Sequence, residues 1–277
     1  RGRLIAREYL FIASALPLIT PQNFDYSAGP RALARHSKKI LEDEYERLAQ
    51  LHVCEGRQIR LVRDCYAYMD PFFDIYLFFK FAFDRNYAAI TTLLPREGKI
   101  LDVGCGAGVL SNLLVYSGER RRVTGIDYCE KKIDLARRSV ISYMKEALTF
   151  MHGDILEENE GDFLLEGFDG ILCCDIVHYF PKERQGRLFS KLRKALKEGG
   201  TLVIRQDVED ENERCRRSFY EFLASRTGFN LFKNVPDHPS EEELIRSLCE
   251  AGFGDVRSPL KPIRFENQVI LVATGIS

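Results

Sequence analysis

No stretch of this 277-residue sequence approaches the roughly 20 consecutive apolar residues that a membrane-spanning helix needs. The longest candidate, Leu10 to Ile19, is too short, is broken by Pro17 and lacks a basic, cleavable signal pattern around it. Among the eight cysteines there is no C-x-x-C pair and no zinc spacing, which argues against both a structural zinc module and a disulfide framework. Cys173 and Cys174 are neighbours inside an apolar run, where thiols behave as small buried residues. A reducing cytoplasm and no metal are therefore expected. Charge of one sign is lacking as well: the formal net charge is -1, leaving no electrostatic footprint for DNA or RNA over the whole chain. No nucleic-acid partner is expected, although a local patch stays open. There is no internal repeat, no low-complexity tract and no initiating methionine, so the chain is expected to be processed or cut from a longer polypeptide. Its length suits one large core plus an appendage.

What is present is organised around Ile100-Leu-Asp-Val-Gly-Cys-Gly-Ala-Gly-Val-Leu-Ser111. Lys99 to Val103 is a short apolar run, long enough for a buried strand. Three glycines follow at alternate positions, Gly104, Gly106 and Gly108, and then Val109, Leu110, Leu113 and Leu114 recur at helical spacing. Strand, glycine turn and helix bring bare backbone against a ligand and aim a helix N-terminus at it. The dinucleotide fingerprint G-x-G-x-x-G fails, because its third glycine would fall on Val109, and no Lys-Ser/Thr completes a phosphate loop. Asp102 at the lip would repel a pyrophosphate and suits a cationic ligand carrying an amino group. The motif from Asp102 to Gly108 resembles the first motif of the class I S-adenosylmethionine-dependent methyltransferases. That resemblance implies S-adenosyl-L-methionine as cofactor, with Asp102, Gly104, Cys105 and Gly106 in its site.

Along the rest of the chain, residues 1–56 read as an N-terminal extension. Pro17, Pro21, Asn23, Gly29 and Pro30 mark a loop, and Arg31 to Leu51 reads as a charged helix. The stretch Pro17-Leu-Ile-Thr-Pro-Gln-Asn-Phe-Asp-Tyr-Ser, with Tyr66-Ala-Tyr68 and His178-Tyr179, resembles bacterial acyltransferases fused to a methyltransferase. This implies a bacterial chain, a possible upstream acyltransferase domain and, through it, peripheral attachment to the inner membrane. The H-x-x-x-x-D site of such acyltransferases is absent at His36 and His52. Residues 57–94 hold the densest aromatic cluster. Phe72, Tyr76, Phe79 and Phe83 fall at helical spacing, which suits a helix packed on the core or a lid over an apolar substrate. Tyr66, Tyr68 and Tyr76 are its substrate-facing candidates.

From Lys99 onward, strands alternate with helices as a parallel sheet with crossovers requires. Strands are expected at Lys99–Val103, Arg122–Asp127, Leu148–His152, Gly170–Cys174 and Thr201–Arg205. Helices are expected at Val109–Tyr116, Glu130–Met144 and Lys182–Leu196, the last ended by Gly199-Gly200. Ser240 with Glu243 forms a capping-box signature for a helix to Ala251. Strands Asp255–Leu260 and Gln268–Ala273 close the chain. The fold class is thus α/β, a doubly wound, mostly parallel sheet with a C-terminal antiparallel hairpin and helical caps. The resemblance implies seven strands in the order 3-2-1-4-5-7-6. Residues 95–277 form that domain, with an aromatic insertion at 207–239 whose Phe219 is a further substrate candidate.

In a doubly wound sheet the ligand sits at the carboxyl ends of the strands. Asp127 follows the second strand at the distance where a carboxylate grips ribose hydroxyls, or else caps the helix near Glu130. Tyr128 can lie against the adenine face. Gly153-Asp154-Ile155 matches the family motif in which the aspartate meets the adenine amino group, or is an ordinary turn. Asp175 closes the fourth strand, where the family places a residue facing the methionine part or the substrate. His178, the one histidine at a strand end on the acceptor side, is the candidate base, with Tyr179 beside it, or it hydrogen-bonds within its own loop. The fourth strand ends Cys-Asp-Ile-Val, without the N-P-P-Y-type amino-methylation motif. The expected activity is methyl transfer to a small apolar or aromatic acceptor, lipid- or carrier-linked where the fusion resemblance applies. The rivals are a methyltransferase acting on protein or nucleic acid, and a non-catalytic module that keeps the fold.

Overall fold

A computed structural model describes residues 32, 55–67, 73, 76–78, 80–81, 84–118, 120–140, 144–157, 167–207, 239–260 and 268–276. Tyr68, Phe219, the loop and helix read into residues 1–51 and most of the 207–239 insertion lie outside them.

Successive strand residues point to opposite faces, and here both faces are apolar. Leu172, Val203 and Val272 share one face with Ile100, whereas Leu101, Ile171, Leu202 and Ala273 share the other. A strand apolar on both faces has to lie inside a sheet covered on both sides. The seven strands are β1 (Glu97–Val103), β2 (Arg120–Asp127), β3 (Leu148–His152), β4 (Phe168–Cys174), β5 (Leu196–Asp207), β6 (Phe253–Arg257) and β7 (Gln268–Gly275), in the order β3-β2-β1-β4-β5-β7-β6. Pairs from β3 to β5 are parallel, and β7 runs antiparallel to both β5 and β6. The expected fold and strand order are those observed.

The helices are α1 (Glu55–Ala67), α2 (Arg85–Ala89), α3 (Val109–Ser117), α4 (Glu130–Ser139), α5 (Lys182–Ala195) and α6 (Glu241–Glu250). Val62 and Tyr66 of α1 pack in one cluster with Leu113 of α3 and Ile133 of α4, while Leu188 and Leu192 of α5 join Leu244 and Leu248 of α6 on the other face. The Ser240–Glu243 capping box is formed: Ser240 Oγ accepts from the Glu243 N–H and Glu243 Oε2 from the Ser240 N–H.

Two helix ends need correction. The helix from Glu130 ends at Ser139, because Val140 turns to extended backbone. Gly199 and Gly200 do not end α5. The helix passes directly into β5 at Leu196, which pairs with Phe168, and the glycines accommodate the register shift that follows before Thr201 meets Gly170. Of the expected stripe in the aromatic segment, Tyr76 is among the described residues and is half-buried, while its described neighbours Phe73, Leu77 and Phe81 are buried; Phe72, Phe79 and Phe83 lie outside the described residues. These aromatics share the core cluster of the sheet.

At the sheet end where the parallel strands begin, Arg121 is buried and donates to the carbonyls of Thr91, Leu94, Pro95 and Leu114 and to the Ser117 hydroxyl. It closes the C-terminus of α3 and fastens the 90–93 turn of 3₁₀ helix to β2. Burial pulls its guanidinium down to about 10.

Candidate active site

The loop between β1 and α3 is built on left-handed backbone. Gly104, Gly106 and Gly108 have φ of 69°, 55° and 79°, conformations that cost an L-residue about 1–2 kcal/mol. The three glycines are not equivalent. A Cβ on Gly104 would collide with Ile176, and one on Gly108 with Phe150. A Cβ on Gly106 would find nothing nearer than Lys132 Cδ at 3.9 Å. Gly104 and Gly108 are thus small because the fold is closed around them, whereas Gly106 borders open space.

One carboxylate is hydrogen-bonded to Gly106 itself, and a second lies buried at the end of β1. Asp127, at the end of β2, accepts from the Gly106 N–H through Oδ2 and from the Cys129 N–H through Oδ1, both at 2.8 Å. Asp127 thus steadies the entry to α4 by bonding its N-cap residue Cys129, without itself being the cap. Each carboxylate oxygen keeps a second acceptor site, so these bonds do not preclude ribose hydroxyls. Asp102, at the end of β1, is 2% exposed, and its Oδ2 accepts from the Ser111 hydroxyl at 2.5 Å. Burial raises its carboxyl to about 7, with the Ser111 bond opposing and the Asp127 charge adding to the rise. A cation brought against it would reverse that shift. Tyr128 follows Asp127 with its ring exposed, and its carbonyl meets His152 Nε2 at 2.9 Å.

Several candidates occupy other positions than expected. Tyr66 is fully buried, and its hydroxyl donates to the Ala107 carbonyl at 2.7 Å while accepting from Asn112 Nδ2. It supports the glycine loop from beneath and is closed to substrate, because its ring packs edge-on against Phe73 in the core. Asp154 forms a turn, its Oδ1 accepting from the Leu156 N–H at 2.8 Å, and Ile155 is buried. The Cys105 thiol is pushed well above its usual value by burial and then by Asp102 and Asp127, so it stays protonated. Tyr76 stacks on Phe73, and burial raises its phenol.

At the end of β4, Asp175 takes φ of 56° and turns its carboxylate onto Arg205 of β5, at 3.1 Å from Nε and 2.6 Å from Nη2. Arg205 is fully buried and also binds Asp84, which receives Lys80 at 2.7 Å. Burial alone would raise Asp84; Arg205 and Lys80 outweigh it and hold the carboxyl below its usual value. The Asp175 carboxylate is thus engaged by a guanidinium while its side chain stays partly exposed. Next, His178 and Tyr179 form a single 3₁₀ turn with Val177, their rings 4.0 Å apart. His178 Nδ1 lies 2.7 Å from Gln206 Nε2. The close packing of Gly104 on Ile176 joins this turn to the glycine loop, where the strand order switches between β1 and β4.

Ser111, Lys80, Asp84, Arg205 and Gln206 were not foreseen. Arg205 and Gln206 carried a signal, two polar residues ending the apolar run Leu202-Val-Ile, but the strand was read as closing at Arg205. Among the described residues no cluster of His, Cys, Asp or Glu would hold a metal, and no helix is long and apolar enough to cross a membrane.

The seven-stranded doubly wound sheet in this order is a fold shared with the S-adenosylmethionine-dependent methyltransferase SibL, at 19% identity and a TM-score of 0.53 over 74% of this chain and 59% of that one. Residues 100–200 match the family described as methyltransferase domain. Over 128 residues the chain is 32% identical to YqeM of Bacillus subtilis, which bears a methyltransferase name, covering 44% of this chain and 47% of that protein. It is 23% identical over 205 residues to the carboxy-S-adenosyl-L-methionine synthase of Campylobacter concisus, covering 69% of this chain and 82% of that one. The fold is shared with the pyocyanin biosynthetic protein PhzM at 22% identity and a TM-score of 0.54, over 72% of this chain and 57% of that one. The chain thus spans about half the length of the Bacillus relative.

Proposed function

We propose that this chain transfers the methyl group of S-adenosyl-L-methionine to a small, largely apolar or aromatic acceptor, free or linked to a lipid or carrier. The observation that carries the reading is the open space at Gly106, whose N–H is held by the Asp127 carboxylate, in a loop that follows Asp102 and packs through Gly104 on Ile176 beside the His178–Tyr179 turn. The residues fit the cofactor: an amino group would neutralise a buried carboxylate that now sits near 7, and ribose hydroxyls would fill the remaining acceptor sites of Asp127. Adenine would lie on the exposed ring of Tyr128, with Ile155 behind it and the Gly104–Gly106 backbone beside the methionine portion. When bound, the cofactor supplies an electrophilic methyl on a sulfonium. The chain's own contribution is positioning and exclusion of water, the main source of rate in such a transfer. His178 and Tyr179 hold the acceptor's reacting atom, and Tyr76 and the aromatic segment supply apolar surface. Resemblance to acyltransferase fusions supports assaying acyl and carrier-linked acceptors, together with an upstream acyltransferase as their source. The near-neutral charge and the absence of an N-P-P-Y-type motif weigh against nucleic-acid acceptors.

The test is mass spectrometry of products from labelled cofactor with a panel of phenols, fatty acids and carrier-bound acyl chains, beside calorimetric titration of the cofactor. Gly106→Val is expected to remain folded and to lose cofactor binding, because its side chain fills the space at Gly106. Undiminished affinity in the folded variant, or no labelled product from any class, would count against the proposal.

A further inference from the structure

Gln206 lies on β5, fully buried, on the sheet face that carries Ile204 and Leu202. Its amide makes two contacts with one residue 28 positions away. Nε2 stands 2.7 Å from His178 Nδ1, and Oε1 accepts the His178 backbone N–H at 3.4 Å. The two contacts fix each other's sense. A backbone N–H can only donate, so the amide oxygen turns toward it and the NH₂ group turns toward the ring. An NH₂ group has no acceptor, and therefore Nδ1 must offer a lone pair. The opposite orientation would set two donors face to face in a buried position. The turn that carries His178 is held from a second side by Gln185 of α5, whose Nε2 donates to the Phe180 carbonyl at 3.0 Å and the Val177 carbonyl at 3.4 Å. The ring is held between Gln206 and Tyr179.

We infer that Gln206 is a positioning residue that keeps His178 in the tautomer protonated at Nε2, so that the imidazole offers the methyl acceptor an N–H instead of a lone pair. The inference rests on the reading that His178 faces the acceptor. It sharpens that reading: a ring that already carries its proton on Nε2 cannot take another there. The acceptor that fits is one that arrives with its nucleophilic electron pair available, such as a phenolate, a carboxylate or an activated carbon beside a carbonyl oxygen. The Nε2–H then orients it by hydrogen bonding to an oxygen. His178 becomes a hydrogen-bond donor to the acceptor, and the expectation of a general base is replaced.

The experiment is long-range ¹H–¹⁵N correlation on the full chain labelled with ¹⁵N-histidine, with the His178 signals identified by their loss in His178→Gln. In the parent, Nδ1 is expected at the shift of an unprotonated ring nitrogen and Nε2 at that of a protonated one. In Gln206→Glu the carboxylate accepts from the ring, and Nδ1 moves to the protonated position. Gln206→Leu, which keeps an apolar side chain in the core, is expected to give averaged shifts from both tautomers. A parent spectrum with Nδ1 protonated, or an unchanged pattern in folded Gln206→Glu, overturns the assignment. On an acceptor identified by the product panel, Gln206→Glu should lose turnover about 10²-fold or more with cofactor affinity unchanged; equal turnover with a reversed tautomer overturns the positioning role. If the parent shows the expected tautomer while His178→Gln turns over fully, the tautomer stands and the acceptor-facing role of His178 falls.

Discussion

Asp102 shows what the site costs the fold. In the unfolded chain an aspartate ionises near 3.9, whereas burial holds this one near 7 in the folded domain. Between those values the folded state keeps a proton that the unfolded state has released, so stability falls as pH rises through the window and stays lower above it. Asp102→Asn still accepts the Ser111 hydroxyl and no longer titrates. In urea denaturation it should be more stable than the parent at about pH 8, with the gain shrinking toward about pH 4. A difference that does not vary with pH would mean that ionisation of Asp102 carries no penalty. The same substitution should weaken S-adenosylmethionine, since in the proposed function this carboxylate receives the cofactor's amino group. Such a residue was readable from spacing alone, because a strand followed by alternate glycines and led by an acid is a local pattern. Its partner Ser111 and its raised pKa were not, since both depend on α3 folding back over β1.

Between elements, the strongest link at the strand ends is ionic. Arg205 joins β5 to Asp175 after β4 and to Asp84, the N-cap of α2, with Lys80 completing a balanced set of two cations and two anions. Tyr87 lies against both cations, 5.4 Å from Arg205 and 4.8 Å from Lys80. Removing one member strands the rest: Arg205→Met leaves a buried Asp84 with Lys80 alone and should cost about 3–5 kcal/mol in urea denaturation. Because Asp84 is held below its usual range, the stability it confers is full above about pH 4 and is lost as pH falls through its lower folded value. The gap between parent and Arg205→Met should therefore narrow in acid; a constant gap would assign the loss to packing. Asp84 and Arg205 are 121 positions apart, and which face of the 73–89 segment meets β5 is decided by tertiary packing. Among the described residues of that segment Phe73, Leu77 and Phe81 are buried and Tyr76 is half-buried, a difference that helical period alone does not decide. Strand ends after β2 and β4 were legible because polar residues interrupt apolar runs there. The same signal after β5 was missed through closing the strand two residues early, at Arg205 instead of Asp207.

For the molecule as a whole, the two ends of the sheet differ in kind. The cofactor candidates stand at the carboxyl ends of β1, β2, β3 and β4, on loops whose backbone is bonded in part to carboxylates. Amide hydrogen exchange should follow that division. Central strands β1, β4 and β5 should exchange more slowly than edge strands β3 and β6, and added S-adenosylmethionine should slow the amides of 104–108 and 127–129 with little effect at 120–123. Uniform slowing throughout the sheet would point to global stabilisation without a site at the loop. The doubly wound parallel sheet was legible because alternation of apolar runs with glycine punctuation leaves few topologies, while the order of its seven strands followed from the family resemblance. At the other end stands Arg121, with four carbonyls and a hydroxyl in its grasp. Because it secures the frame from the far end of the sheet, rim substitutions that leave Asp102 and the Arg205 cluster intact fall on a scaffold held elsewhere. A lineage descending from such a chain could exchange one acceptor for another by small steps, each tolerated before it is useful, and diversity of chemistry would then be an inheritance of the quiet end of the sheet.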